Sequence, residues 1–380
     1  MKLLHLQNWR STNIGNGALA FGTERVLRED LGKDLQFTPE PWDEYVIENT
    51  FGARKFDAGF VDLVNAHDGL LVGGAVTFNG RPHLTEAGMR FNLPLSLWTH
   101  IRVPVIFYGN SYRFWPKATY HNVEKLRETV RYIIETPRIF FGVRNDGTKE
   151  FLESLLGLRS DRIVPVPDPG MYVPVEEHDY PEFSSVRKNI LLSINNEDES
   201  DRFPDAAGKT KFLESFAKAL ERIAEAFDVN FVLCPHAFDD YKIIAQLLDL
   251  LPPKIVHQRT LSTGLLPVPK APYFYGRYAR ADLAMSMRIH SLSPAIGLGI
   301  PVIPLVSQNR VSAFLENIGL GDLGVDVFGA DVEEQVFAKA AGALAHPDDA
   351  TRKIRNAAAH SRQQTAAIND RVRQLLLHRR

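Results

Sequence analysis

Strand-like and helix-like segments alternate along this chain in two successive series, predicting an α/β protein built from two doubly wound, Rossmann-like domains facing a cleft. Three observations carry the prediction. Short apolar runs of strand length are separated, nearly throughout the 380 residues, by stretches with helical patterning. The alternation runs through the first half and then begins again. Between the two series lies a polar, aperiodic stretch, residues 174–188, with Pro174 and Pro181 at the ends of its first half. Alternating strands and helices imply parallel sheets covered on both faces, so two domains are expected, over residues 1–178 and 186–347. A charged, Ala-rich tail over 348–380 reads as one C-terminal helix.

Taken in order, the first series has strands at Leu3–Gln7, Gly69–Val72, Val103–Tyr108, Ile139–Val143 and Ile163–Pro165. Helices are expected between them at Ala18–Leu31, His121–Glu135 and Thr148–Leu156. The second series has strands at Asn189–Ile194, Asn230–Cys234, Lys254–His257, Leu283–Met285 and Pro301–Leu305. Its helices are Lys209–Phe227, Ala237–Leu251, Ser291–Leu298 and Val311–Ile318.

Composition narrows the class. Apolar residues at 44% and charged residues at 24% are ordinary for a soluble globular chain. A formal charge of −2 supplies no global field to recruit nucleic acid, so any anion site must be local. Cys234 is the only cysteine, which excludes an intramolecular disulfide and a cysteine zinc cluster and fits a reducing compartment. No apolar run approaches the ~20 residues that span a bilayer, and Met1–Gln7 is too short and polar for a signal peptide. A cytoplasmic enzyme is the expected class. The phosphate-binding P-loop, the Gly-x-Gly-x-x-Gly fingerprint, the His-Glu-x-x-His zinc helix and the Gly-x-Ser-x-Gly elbow are all absent from the sequence. No metal or cofactor is therefore expected.

The most informative run is 281–305, where Arg288 and His290 lie between two strand-like stretches and Gly297-Leu-Gly-Ile-Pro301 leads into the second. Two residues apart on a strand end, Arg288 and His290 would project to one side. A guanidinium there can hold an anion beside an imidazole that moves a proton. Ligands of open α/β sheets bind in such strand-to-helix crevices. Asn13-Ile-Gly15-Asn16-Gly17 follows the first strand; it reads as an anion or sugar-hydroxyl cradle, or as an ordinary βα turn capped by Asn16. Gly73 and Gly74 end the next strand and would leave room for a ligand, or serve a tight turn. Ser111 lies in an aromatic loop, 105–116, whose rings could stack on a sugar or anchor the loop. Arg144, just past the fourth strand, would point into the interdomain cleft as a second cation, or pair with Asp146. Asp168, held between prolines, would cap or orient a cationic group, though a structural role is the stronger expectation. Arg310 is a candidate third cation, His236 reads as a helix-start residue, and the aromatic segment 265–280 suits an acceptor-facing loop.

Taken together, Asn13-Ile-Gly-Asn16, Asp68 to Gly74, Gly142-Val-Arg144, Val166-Pro-Asp-Pro169, Ser286-Met-Arg-Ile-His290 with Gly299-Ile-Pro301, and Asn309-Arg-Val311 resemble the polysaccharide pyruvyl transferase family. The chain departs from the family pattern at Asn16, Ala75 and Arg310, where aspartate, glycine and lysine are usual. The resemblance implies a two-domain, GT-B-like enzyme that moves the pyruvyl group of phosphoenolpyruvate onto a saccharide as a ketal, releasing phosphate. On that reading Arg288, Arg144 and Arg310 hold phosphoenolpyruvate, the donor substrate, and His290 protonates its methylene carbon. Asn13, Gly15, Asn16, Gly73, Gly74 and Ser111 line the substrate site. The partner is a saccharide acceptor, lipid-linked or free, and the location cytoplasmic, with the inner face of the membrane as an alternative. Two other readings stay open: a glycosyltransferase using a nucleotide sugar on the same architecture, and a non-catalytic saccharide-binding relative.

Overall fold

A computed structural model describes residues 1–45, 54–115, 118–203 and 205–377. The chain divides into two compact units. One comprises Met1–Ser11, Leu19–Pro169 and the chain from Arg362 onward; the other comprises Thr12–Ala18 and Gly170–Ser361. Each is a parallel sheet flanked by helices, a Rossmann-like lobe.

In the first unit β1 (Lys2–Gln7), β2 (Gln36–Pro41), β3 (Gly69–Val72), β4 (Val76–Phe78), β5 (Val105–Tyr112), β6 (Ile139–Arg144) and β7 (Ile163–Val166) form one sheet in the order β2-β1-β3-β5-β6-β7, with β4 beside β5. Every pairing is parallel. β3 and β6 are buried along their whole length, as a sheet covered on both faces requires. The helices are α1 (Gly15–Leu31), α2 (Ala58–Asn65), α3 (Leu95–Trp98), α4 (Val123–Glu135) and α5 (Thr148–Leu156). An aromatic core holds them, with Trp98 stacked on Phe107 and Phe107 edge-on to Phe141.

The second unit has β8 (Lys188–Ser193), β9 (Val229–Leu233), β10 (Thr260–Ser262), β11 (Leu283–Ser286), β12 (Val302–Val306) and β13 (Val325–Asp326), in the order β10-β9-β8-β11-β12-β13. These pairings are also parallel. Its helices are α6 (Glu199–Arg202), α7 (Ala206–Ala226), α8 (Asp240–Leu250), α9 (Pro253–Arg259), α10 (Ala271–Gly276), α11 (Ile289–Gly297), α12 (Asn309–Asn317) and α13 (Val332–Ala345). The last helix, α14, runs from Pro347 to Leu377.

Strand order fixes where a ligand can enter each sheet. The order reverses between β1 and β3 in the first and between β8 and β11 in the second. Chain crossovers leave the two faces at such a point, opening a crevice beyond the strands' carboxyl ends.

Two sequence expectations need correcting. Lys254–His257 is not a strand: Pro253 opens α9 there, and the edge strand β10 follows it. Proline suits the first helical turn, where its missing N–H would have no partner. The aromatic segment 265–280 does not offer its rings outward, for Phe274, Tyr275 and Tyr278 are fully buried.

Candidate functional site

At the switch point of the second sheet the carboxyl end of β11 is tied to β8 by Ser286. Its hydroxyl donates to the Ser193 carbonyl (3.2 Å) and accepts from the Arg288 N–H (2.9 Å). Arg288 thereby becomes the extended residue that precedes α11. His290 already lies in the first helical turn, so the two do not follow the strand alternation expected of them. Arg288 is buried, and its guanidinium is held from two sides. Nε and Nη2 bond both oxygens of Asp240 at 3.0 and 2.5 Å, while Nη1 bonds Glu197 Oε2 at 2.6 Å. Burial opposes its charge, but the Glu197 and Asp240 carboxylates outweigh this and hold its pKa above the ordinary guanidinium range. Asp240, fully buried, also accepts the backbone N–H groups of His236 (2.8 Å) and Ala237 (3.1 Å).

The loop before α1 packs onto this cluster within the same unit. Asn13 Oδ1 accepts the Gly15 N–H (3.1 Å), so Asn13 rather than Asn16 satisfies the helix start; Asn13 Nδ2 reaches Glu197 at 3.5 Å. Asn16, half-buried, donates its N–H to the Asn13 carbonyl (3.1 Å). A Cβ on Gly15 would stand 2.8 Å from both Cβ and Nδ1 of His290, so glycine is what lets the loop approach His290. The His290 carbonyl in turn accepts from Tyr275 Oη (2.8 Å). Arg310 is buried in the first turn of α12, whose preceding residue Gln308 makes no side-chain cap bond.

His236 is fully buried with Nε2 2.9 Å from Tyr278 Oη, and that hydroxyl donates to Ser291 (2.9 Å). Burial, reinforced by the charge of Arg288, pushes its pKa well below 6.5 and keeps the imidazole neutral. Glu197, Asp240 and Arg202 were missed by sequence reasoning. Arg202 is buried, bonding the Glu197 carbonyl (3.0 Å) and Ser307 Oγ (2.8 Å). Glu197 lies in a polar loop, Asp240 at a helix start and Arg202 at the end of the short α6, where sequence pattern does not separate a buried, paired charge from a solvated one.

In the first unit Arg144 ends β6 fully buried, with Nε 3.2 Å from Asp168 and Nη1 3.8 Å from Asp146. Arg144 thus takes the ion-paired form of its two readings, with Asp168 and Asp146 both facing the guanidinium. Asp146 also accepts from Ser111 Oγ (2.6 Å) and Thr148 Oγ1 (2.5 Å), so Ser111 and Arg144 meet on one carboxylate. At the switch point of this sheet, the space a side chain on Gly73 would need is occupied by Gln7 Nε2 and His5 Nε2, each 2.7 Å from a Cβ there. A Cβ on Gly74 would face the Tyr108 and Gly109 carbonyls. Most of the stretch expected as an aromatic loop is strand β5, and Tyr112 at its end stacks on Phe151 of α5.

Over residues 13–309 the chain matches the family described as polysaccharide pyruvyl transferase. It belongs to that family. No curated protein matches the chain. Among solved structures it resembles a Listeria monocytogenes protein assigned as a UDP-N-acetylglucosamine 2-epimerase, at 14% identity and TM-score 0.57, over 96% of this chain and 94% of that one. It also resembles the Neisseria meningitidis UDP-GlcNAc 2-epimerase bound to UDP-GlcNAc (12%, 0.55, 99% and 100%) and the Methanocaldococcus jannaschii UDP-GlcNAc 2-epimerase (10%, 0.50, 90% and 92%). These likenesses establish the GT-B-like fold.

They also correct the expected activity. Phosphoenolpyruvate-dependent ketal transfer, expected from the family resemblance, is not what the proteins sharing this fold are named for; they are nucleotide-sugar enzymes. The electrostatics agree. A donor with a phosphate and a carboxylate needs cations in excess, yet Arg288 and Arg144 each already face two carboxylates. Among the described residues no helix is long and apolar enough to cross a membrane, and no cluster of His, Cys, Asp and Glu could hold a metal ion.

Proposed function

We propose that this member of the family is a sugar-modifying enzyme of glycan synthesis that binds a nucleoside diphosphate sugar in its second unit. The observation that carries the reading is the make-up of that unit's switch-point crevice. Glu197 comes from the loop after β8 and Arg288 from the end of β11. α11 and α12 begin beyond the adjacent strands β11 and β12, neither with a side-chain cap. Uncapped helix starts present N–H groups and a partial positive charge to a diphosphate, and Arg310 adds a guanidinium in the first turn of α12. Glu197, met by Arg288 at 2.6 Å and by Asn13 at 3.5 Å, carries the acidic side of the crevice, where sugar or ribose hydroxyls would exchange with these contacts. Asp240 keeps Arg288 fixed while the ligand binds. His290, half-buried beside Gly15, is the proton-transfer group. The fold likeness to an epimerase solved with UDP-GlcNAc supports this reading. A cytoplasmic location follows from it, since nucleotide sugars are held there.

The test is thermal unfolding with UDP- and GDP-sugars, with a CMP-sugar, which has one phosphate, and phosphoenolpyruvate as controls. A ligand at 100 times its dissociation constant adds about 2.7 kcal/mol. Stabilisation by one nucleotide-sugar class, weakened in Arg310→Ala, is the expected result. A chain that no nucleotide sugar stabilises would rule the reading out.

A further inference from the structure

Isolated apolar side chains on a surface need no explanation, but an exposed aromatic pair beside a polar cluster does. Phe238 is 66% exposed and Tyr241 39%, and their rings lie 6.5 Å apart, inclined at 45°. They sit where the chain turns from β9 into α8, at the carboxyl edge of the second sheet. This is the turn whose His236 and Ala237 N–H groups bond Asp240, the carboxylate that grips Arg288. Asp239 and Lys242, ion-paired at 2.8 Å and both exposed, border the rings.

The geometry points to Phe238 and Tyr241 as the platform that takes the sugar ring of the ligand. The inference rests on the nucleotide-sugar reading and adds the part of the ligand that reading leaves unplaced. A pyranose has an apolar face of C–H groups rimmed by hydroxyls. Two aromatic faces bordered by an acceptor (Asp239) and a donor (Lys242) match both features, and the ring contact removes apolar surface from water. The fixed position of the turn, anchored through Asp240, lets two exposed rings act without a large ordering cost.

The experiment compares dissociation constants for UDP and UDP-GlcNAc in the full chain, in Phe238→Ala and in Phe238→Tyr. The unmodified protein is expected to bind UDP-GlcNAc about fivefold more tightly than UDP, in line with a single ring contact. Phe238→Ala should bring the two constants together while leaving UDP binding and the ligand-free melting temperature unchanged, and Phe238→Tyr should restore the difference. The platform is overturned if Phe238→Ala keeps the full difference, or if the unmodified protein binds both ligands equally. If UDP does not bind the unmodified protein, the same comparison is made with GDP and a GDP-sugar. Failure of both nucleoside diphosphates removes the nucleotide-sugar reading, and the platform with it.

Discussion

Arg288 is the residue on which the site's chemistry turns, and its surroundings decide what it can do. A guanidinium buried with two carboxylates gains most of its stability from them, and a further anion would have to displace Glu197, since Asp240 is locked by two backbone N–H groups. Arg288 therefore serves better as a fixed element of the crevice wall than as a free anion clamp. His236, behind it, gives the sharper test. Burial and the Arg288 charge keep its folded-state pKa well below 6.5, whereas the unfolded chain protonates it near 6.5. The unfolded state then holds more protons as pH falls below 6.5, so folding stability drops by up to about 1.4 kcal/mol per pH unit there. Urea unfolding at pH 7.5 and 5.5 should show this slope in the unmodified protein. His236→Asn should be less stable at pH 7.5, having lost the Tyr278 contact, yet show a flatter profile over that interval. An equal slope in both proteins would place the proton uptake elsewhere.

At the scale of single elements, α11 carries the strictest packing demand. A Cβ on Gly297 would come within 1.9 Å of the Met171 carbonyl oxygen, a backbone atom that cannot swing aside. Gly297→Ala should therefore cost about 3 kcal/mol or more and displace the helix whose first turn carries His290. Denaturant unfolding checks this, and Gly342→Ala, where a Cβ meets nothing within 4 Å, is the matched control in another helix of the same unit. The elements that sequence pattern found were those with a buried apolar run. Gly69–Val72 and Thr148–Leu156 coincide with the observed β3 and α5. β2, Gln-Phe-Thr-Pro-Glu-Pro, escaped because its two prolines argue against a strand; it survives at the sheet edge, where one side needs no ladder partners. Lys254–His257 misled in the opposite sense, since a four-residue run with adjacent Ile255 and Val256 fits strand or helix equally. Of the site, Asn13, Gly15, Arg288 and His290 were legible and fall together in one unit. Their acidic partners were not, because the spacings from Arg288 to Glu197 and Asp240 (91 and 48 residues) are set by tertiary structure alone.

For the molecule as a whole, the chain path makes each unit depend on a distant segment. Thr12–Ala18 belongs to the second unit, where Ile14 N–H bonds the His236 carbonyl (3.2 Å) and Gly17 lies so close to Ala271 and Val268 that no side chain fits. The end of α14 belongs to the first unit. There Arg362 and Asn369 both bond Asp30, Tyr108 Oη donates to Asn369 Oδ1 (2.7 Å), and Val372 and Leu376 are buried. Cutting the chain at the polar stretch 174–188 therefore does not yield two complete domains. A fragment of residues 1–178 loses two buried aliphatic side chains at roughly 1.5–3 kcal/mol each. Its buried Tyr108 hydroxyl loses a partner at about 1–3 kcal/mol, and the half-buried Asp30 loses its bonds to Arg362 and Asn369 of α14. The sum rivals the 5–15 kcal/mol by which a typical domain is stable. That fragment should accordingly show weak near-ultraviolet dichroism and bind a hydrophobic dye, and adding a peptide of residues 362–380 should restore a cooperative melt. A fragment that melts cooperatively without the peptide would mean the sheet of the first unit is sufficient by itself.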